Sequence, residues 1–305
     1  MKVLLIGFGS IGRRHFDVLK SFPEVSEIRI VTKQELVTEK TYASLAEVPK
    51  INDYNYYLIA SETNKHFEQL NWLNTQVKGK KIFCEKPLFE KAYPIKGINN
   101  EVFIGYVLRF HPLLQKIKSL VKGHTVLNIN VACGSYLPNW RANVDYKDSY
   151  SAKKEQGGGV LLDLSHELDY TNWIVGELIN IKGFQTKVSN LEIDSDDLVS
   201  LVARTNEGVV VNLSIDYFSK LAHRKILLNT NEFTIELDLI ANKLVQTFIS
   251  GENQEHELAS LERNYLFEKM HQEILFSEEK EYVATLEEGL TLMHQIQKIQ
   301  DENNE

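Results

Sequence analysis

Lys2–Ile6 reads as a short β-strand, and it runs directly into Gly7-Phe8-Gly9-Ser10-Ile11-Gly12. Beyond these glycines Ile11, Val18, Leu19 and Phe22 recur at helical spacing, and Pro23 limits the helix. This strand, glycine turn and helix constrain the fold more than any other feature of the sequence. Gly7 suits a tight turn, Gly9 lets backbone approach a pyrophosphate, and Gly12 lets the helix pack closely on the strand. Ser10 and Ile11 open the helix, whose N-terminus offers amide donors and a positive dipole end. The glycine pattern alone is weak, because turns often contain glycine. Its place between a strand and a helix favours a dinucleotide site over an ordinary turn.

The alternation continues to about residue 110. Glu27–Thr32, Tyr56–Ala60, Lys81–Cys84 and Val102–Gly105 read as strands, and Thr63–Leu73 as a helix capped by Thr63 or Asn64. Strands alternating with helices imply a parallel sheet with crossover connections. After Pro112 the pattern changes to successive strands: 124–136, 179–188, 198–205, 209–218, 225–229, 233–239 and 243–249. Turns at Glu207-Gly208 and Thr230-Asn231 suit an antiparallel sheet. One long helix is expected from about Gly158 to Val175, and two more at Tyr265–Phe276 and Leu286–Ile299, with residues 301–305 as a frayed end. With 305 residues, two domains are expected, 1–111 and 112–305, the C-terminal helix being free to pack back on the first. An apolar fraction of 43% excludes a disordered chain, and no apolar run is long enough to span a membrane. Acids outnumber bases 42 to 34, which argues against nucleic acid as a partner. Two cysteines, Cys84 and Cys133, fit a reducing compartment, hence the cytoplasm.

Three further groups carry possible chemistry. About 20 residues past the last glycine, where a carboxylate would bind the ribose 2′-hydroxyl of NAD, stand Thr32 and Lys33. A hydroxyl followed by a cation suits a 2′-phosphate, so the cofactor expected is NAD(P), leaning to NADP; Lys33 reads otherwise as a solvated turn residue. Glu85-Lys86-Pro87 follows the strand 81–84, beyond the carboxyl ends of the strands where such sheets bind ligands. A lysine there can hydrogen-bond a substrate hydroxyl and relay a proton, although a Glu-Lys pair is more commonly surface decoration. Gly157-Gly158-Gly159, which would allow very close approach of backbone to a ligand, opens the helix carrying Asp163, His166 and Asp169, each three residues apart and on one face. Imidazole beside carboxylate makes a general base; the alternatives are an ordinary polar helix face and, less well, metal ligands, and no metal is expected.

These pieces together resemble the glucose-fructose oxidoreductase/inositol dehydrogenase (Gfo/Idh/MocA) family of NAD(P)-dependent enzymes. The similarity runs through GFGSIG at 7–12, IASETNKH at 59–66, FCEKP at 83–87, GYVLRFHP at 105–112 and GGGVLLDLSHELD at 157–169. It implies an α/β Rossmann domain with a parallel sheet, followed by an α+β domain whose large, mostly antiparallel open sheet joins homodimers or homotetramers. It also implies hydride transfer at a hydroxyl or keto carbon of a sugar or sugar derivative. Lys86 matches the family's catalytic lysine, and Asp163 and His166 its substrate helix. His166 would take the hydroxyl proton while Lys86 bonds the same oxygen. Ser61, Thr63, His66 and Glu85 would border the cofactor, and Arg109 would face the cleft. Two departures stand out. The aspartate and histidine are separated by two residues instead of three, which turns His166 by about 100° on an ideal helix and leaves Asp163 or Asp169 as its partner. The crossover 88–101, containing Pro94 and Gly97, is too broken for a full helix. The segment from Gly134 to Ser151 looks like a branch linked to bacterial surface-sugar pathways. There Tyr136, Trp140 and Tyr150 would line a sugar face and Arg141 would read an anion, or the aromatics simply fix a loop over the sheet. Other readings are a non-catalytic cofactor-binding regulator and a glycosidase or epimerase with retained cofactor.

Overall fold

A computed structural model of the protein describes residues 1–36, 40–141 and 144–303. The chain divides into two compact units, Met1–Phe110 with Glu262–Met293, and His111–Leu261 with His294–Glu305.

In the first unit β1 (Lys2–Ile6), β2 (Glu27–Val31), β3 (Thr41–Tyr42), β4 (Tyr56–Ile59), β5 (Lys81–Cys84) and β6 (Glu101–Ile104) are parallel, with α1 (Ser10–Lys20) and α2 (His66–Gln76) among the connections. Val3, Leu4, Leu5 and the whole of Tyr56–Ile59 are buried, the unbroken apolar run of strands covered on both faces. Ile6 pairs with Val31 and Ile59, and Ile59 with Cys84, which pairs with Ile104. This register brings Gly7, Thr32, Ala60, Glu85 and Gly105 to one edge, the carboxyl ends of the strands. Strand order reverses at β1, which lies between β2 and β4. Ligands of open parallel sheets bind outside such a switch point.

The connection from β5 to β6 contains no helix among the described residues. In its place Phe67 stacks on Tyr93 at 4.0 Å and meets Phe89 edge-on. Asn74 donates to the Gly97 carbonyl and accepts from Asn99 and Asn100. Those side-chain bonds satisfy backbone groups that a helix would have satisfied internally.

The second unit holds β7 (Val126–Gly134), β8 (Leu178–Thr186), β9 (Leu198–Thr205), β10 (Val210–Asp216), β11 (His223–Thr230), β12 (Phe233–Asp238), β13 (Lys243–Phe248) and β14 (Asn253–Glu257). Among the described residues they form one sheet, in the order β14-β13-β12-β11-β7-β10-β9-β8, antiparallel except where β10 runs beside β7. Buried and exposed residues alternate along β9, so one face is core and the other is open. α3 (Pro112–Leu120), α4 (Val160–Asp163) and α5 (His166–Val175) complete the unit, α5 lying against β7. The single helix expected over 158–175 is therefore two, because Leu164 leaves helical geometry at φ −99° and ψ 28°.

The C-terminal segment returns to the first unit through α6 (Tyr265–Phe276), whose Phe267, Met270, Ile274 and Leu275 join the core of α1. β15 (Ala284–Thr285) then pairs antiparallel with β6. α7 (Leu286–Glu302) opens with a capping box, Glu288 N–H donating to Thr285 Oγ1 and Thr285 N–H to Glu288 Oε2. Its helical turns extend through Glu302, which pairs with Lys182. Residues 301 and 302, expected in a frayed end, are thus helical, and 304–305 lie outside the described residues.

Candidate active site

The β1–α1 loop is shaped by contacts that exclude side chains at two of its glycines. A Cβ on Gly7 would stand 2.5 Å from the Ala60 carbonyl oxygen, and φ there is +93°; a Cβ on Gly12 would stand 2.3 Å from the Gly7 carbonyl. Gly9 differs, since a Cβ there would meet nothing within 4 Å. Packing therefore requires the outer two glycines, while the middle one faces open space. Gly9 is the N-cap of α1, with no side-chain cap bond and no acidic residue in the first turn. The opening amides of α1, with exposed Ser10 and half-buried Ile11, suit a pyrophosphate. This part of the molecule fits a dinucleotide.

At the end of β2, Thr32 Oγ1 accepts from the Gln34 amide at 3.2 Å, and Lys33 is exposed. Arg13 reaches the same corner, with Nη2 donating to Gln34 Oε1 at 2.7 Å and its guanidinium 4.6 Å from the Phe8 ring centroid. Sequence reasoning missed Arg13 and Gln34. Arg13 directly follows the last motif glycine, and that adjacency was the available signal.

After β4, Ser61 donates to Gln69 Oε1 at 2.7 Å and Thr63 is half-buried in a 3₁₀ turn. His66 is 1% exposed, its Nε2 3.1 Å from the Ser61 carbonyl and its Nδ1 3.1 Å from that of Pro87. It lies between the β4 loop and the β5 loop, and burial lowers its pKa, which favours a neutral ring whose single N–H donates to one of these carbonyls. After β5, Glu85 is buried, with Oε2 accepting from the Lys86 amide at 3.0 Å and Oε1 2.8 Å from His15 Nε2. Lys86 is half-buried and begins a cis Lys86–Pro87 bond. Arg109 is 2% exposed, its Nη1 donating to Glu288 Oε1 at 2.7 Å, so it fastens the α7 capping box.

In the second unit Gly158 and Gly159 meet the chain itself, not open space of the kind found at Gly9. A Cβ on Gly158 would lie 2.1 Å from the Tyr150 carbonyl, and one on Gly159 2.2 Å from Asp196 Oδ1. The close backbone approach expected toward a ligand is thus an approach to this unit's own loops. Asp196 also accepts from the Leu161 amide at 3.0 Å, and Asp194 from that of Lys154 at 2.6 Å. Asp163 is buried and accepts from the Tyr217 hydroxyl at 2.6 Å; burial, then the neighbouring Asp163 charge, push the Tyr217 pKa up. His166 is the first residue of α5 and half-buried, while Asp169 is buried and its amide donates to the Ser165 carbonyl. The break at Leu164 turns α5 independently of α4, which replaces the ideal-helix offset between Asp163 and His166. Glu167, next to His166 and fully buried, accepts from Arg224 Nε at 2.6 Å and Nη2 at 3.3 Å. This pair ties the first turn of α5 to β11. Removing one partner of such a pair costs about 3–5 kcal/mol, because the remaining charge stays buried.

The aromatics of the 134–151 segment make local contacts. Trp140 donates to Ser135 Oγ at 2.8 Å and stands perpendicular to Tyr217. Lys220 lies 3.5 Å from the Tyr136 ring centroid, and Arg141 5.3 Å from that of Tyr150.

Comparison with known proteins agrees with this geometry. Residues 1–98 match the oxidoreductase family with an NAD-binding Rossmann fold, and residues 114–236 the GFO/IDH/MocA C-terminal domain. No curated protein sequence matches the chain. Among solved structures, levoglucosan dehydrogenase in complex with NADH and levoglucosan superposes with a TM-score of 0.82 at 16% identity, over 99% of this chain and 98% of that one. The WlbA dehydrogenase of Bordetella pertussis, in complex with NADH and UDP-GlcNAcA, gives 0.78 at 14% over 100% and 96%. UDP-N-acetylglucosamine 3-dehydrogenase GnnA of Acidithiobacillus ferrooxidans gives 0.78 at 15% over 99% and 97%. At these identities the structures speak for the fold, and the two family matches for the lineage. The chain belongs to the Gfo/Idh/MocA family of NAD-dependent oxidoreductases.

Proposed function

We propose that the protein transfers a hydride between a nicotinamide cofactor, NADP in preference to NAD, and a hydroxyl or keto carbon of a sugar or sugar derivative. The observation that carries this reading is the single edge of the first unit's sheet. There the Gly7–Gly12 turn, Thr32, Ser61, Glu85 and Lys86 follow strands in register. Bound nicotinamide would supply the hydride acceptor or donor. Gly9, Ser10 and Ile11 hold the pyrophosphate, while Thr32, Lys33 and Arg13 receive the ribose end. Lys86 donates a hydrogen bond to the substrate oxygen, and His166 takes the proton from it in the oxidative direction and returns it in reduction. Substrates reported for related folds, levoglucosan and UDP-sugars, set the class to be tried first. The open face of the second unit's sheet, which exposes Val202, Leu227 and Phe184, suits pairing with a second copy of this chain.

The test is turnover of purified protein with NADP and NAD against a panel of sugars, acidic sugars and nucleotide sugars. Cofactor-coupled oxidation of at least one member supports the reading, and product at the starting oxidation level contradicts net oxidation. Cofactor choice has its own test. Lys33→Asp places a carboxylate at the ribose corner and removes a cation. It is expected to shift the ratio of NADPH to NADH dissociation constants by about tenfold to a hundredfold toward NADH, the value of one or two charge-assisted bonds. Fluorescence titration measures it, and an unchanged ratio would show that Lys33 does not read the phosphate.

A further inference from the structure

Behind Glu85 the first unit contains a continuous line of buried polar side chains that the proposed reaction leaves without a role. His15 Nε2 lies 2.8 Å from Glu85 Oε1, His15 Nδ1 lies 2.7 Å from His271 Nε2, and His271 Nδ1 lies 3.0 Å from the Tyr56 hydroxyl. His15, His271 and Tyr56 are fully buried. Phe83 and Phe267 pack against the His15 ring with centroids at 5.1 and 5.3 Å, and Phe83 against that of His271 at 5.4 Å. A Cβ on Gly105 would stand 2.9 Å from Glu85 Oε1, so the absence of a side chain there leaves space for the carboxylate.

We propose that Tyr56, His271 and His15 form a one-directional hydrogen-bond chain that orients Glu85 and, through it, the Lys86 backbone. This makes His271, contributed by α6 some 185 residues beyond the Glu-Lys-Pro motif, a positioning residue for the reaction proposed above, on which the kinetic part of the inference rests.

The direction follows from the two ends. A carboxylate only accepts, so His15 Nε2 carries a proton toward Glu85, whose other oxygen takes the Lys86 amide. At the far end the Tyr56 hydroxyl has His271 Nδ1 as its one hydrogen-bond partner among the described residues. If His271 donated there, the tyrosine proton would be buried with no acceptor, a desolvation cost that buried donors avoid. Tyr56 therefore donates to His271 Nδ1, His271 Nε2–H donates to His15 Nδ1, and His15 Nε2–H donates to Glu85. Every buried donor then has an acceptor, with both rings neutral in the Nε2–H form. Burial, and secondarily the proximity of His15, lower the His271 pKa well below that of free histidine, in keeping with a neutral ring. Because the chain stops at a buried phenol, it holds Glu85 in place and leads no proton out.

Long-range proton–nitrogen NMR of the histidine-labelled protein tests the direction without any substrate. Both His15 and His271 are expected in the Nε2–H form. An Nδ1–H form of either ring, or a doubly protonated His15, would overturn the proposal. His271→Leu removes the donor to His15 and His271→Gln restores an N–H at the same reach. The leucine variant is expected to lose about tenfold or more in kcat with His15 still in the Nε2–H form that Glu85 requires, and the glutamine variant to stay within about threefold of the parent. A leucine variant with parental kcat would also overturn it. If no substrate is found, the proposed reaction fails while the NMR result still decides the chain.

Discussion

Lys86→Met should bring turnover below detection while the dissociation constant for NADPH stays within about threefold of the parent. Methionine nearly matches the length of the lysine stem, so packing around the half-buried side chain changes little, and only the ammonium is lost. The backbone at this position stays where it is, because its amide donates to Glu85 Oε2 whatever side chain follows. Loss of a donor aimed at charge developing on the reacting oxygen ordinarily costs about 10²–10³-fold. Lys86→Arg should not rescue the rate: a planar guanidinium fork on a longer stem does not place its donors where the compact ammonium does. The paired measurement is steady-state kcat alongside fluorescence titration of the cofactor. Turnover retained in the methionine variant would remove Lys86 from the chemistry. Loss of cofactor binding in parallel with turnover would instead make it a binding residue.

His166→Ala is expected to lower kcat/KM by about 10²–10⁴-fold, again with cofactor binding intact. The residue stands at the first position of α5, whose opening turn is fixed to β11 by the buried Glu167–Arg224 pair, so truncation at 166 leaves the helix anchored. The pH profile adds a readout that lost packing would not move. In the oxidative direction the base works unprotonated, so activity falls as pH drops through its ionisation. The alanine variant should lack that acidic limb. A variant with the parental limb and rate would assign the proton transfer elsewhere.

Much of this architecture can be read from local pattern, and the misses have physical reasons. Lys2–Ile6, Leu198–Thr205 and Tyr265–Phe276 have the bounds expected from periodicity, since each buries a face that its own sequence defines. Asn253–Glu257 escaped notice because β14 is an edge strand without an apolar residue, held by its backbone pairing with β13. The helix over 158–175 looked continuous because neither proline nor glycine interrupts residues 160–175; the break at Leu164 is one that no spacing rule reports. At the site, the glycine turn and Glu85-Lys86 are contiguous motifs and were legible. Arg13, Gln34 and His271 were not, since each acts through a contact made only after folding. Gly157–Gly159 were read as allowing close approach to a ligand, and the structure shows carbonyls and a carboxylate of the same unit against Gly158 and Gly159.

The claim on which the rest depends is that the middle glycine of the β1–α1 turn is open for a dinucleotide, unlike its neighbours, whose contacts serve the fold. Gly9→Asp isolates it. Aspartate is a favoured N-cap residue and its Cβ would meet no atom within 4 Å, so the melting temperature should stay level or rise. Its charge would stand where two phosphates must bind. Calorimetric titration with NADPH and NADH should show binding to the parent and a loss of at least about a hundredfold in the variant. A folded Gly9→Asp protein that binds the cofactor as tightly as the parent would contradict the account.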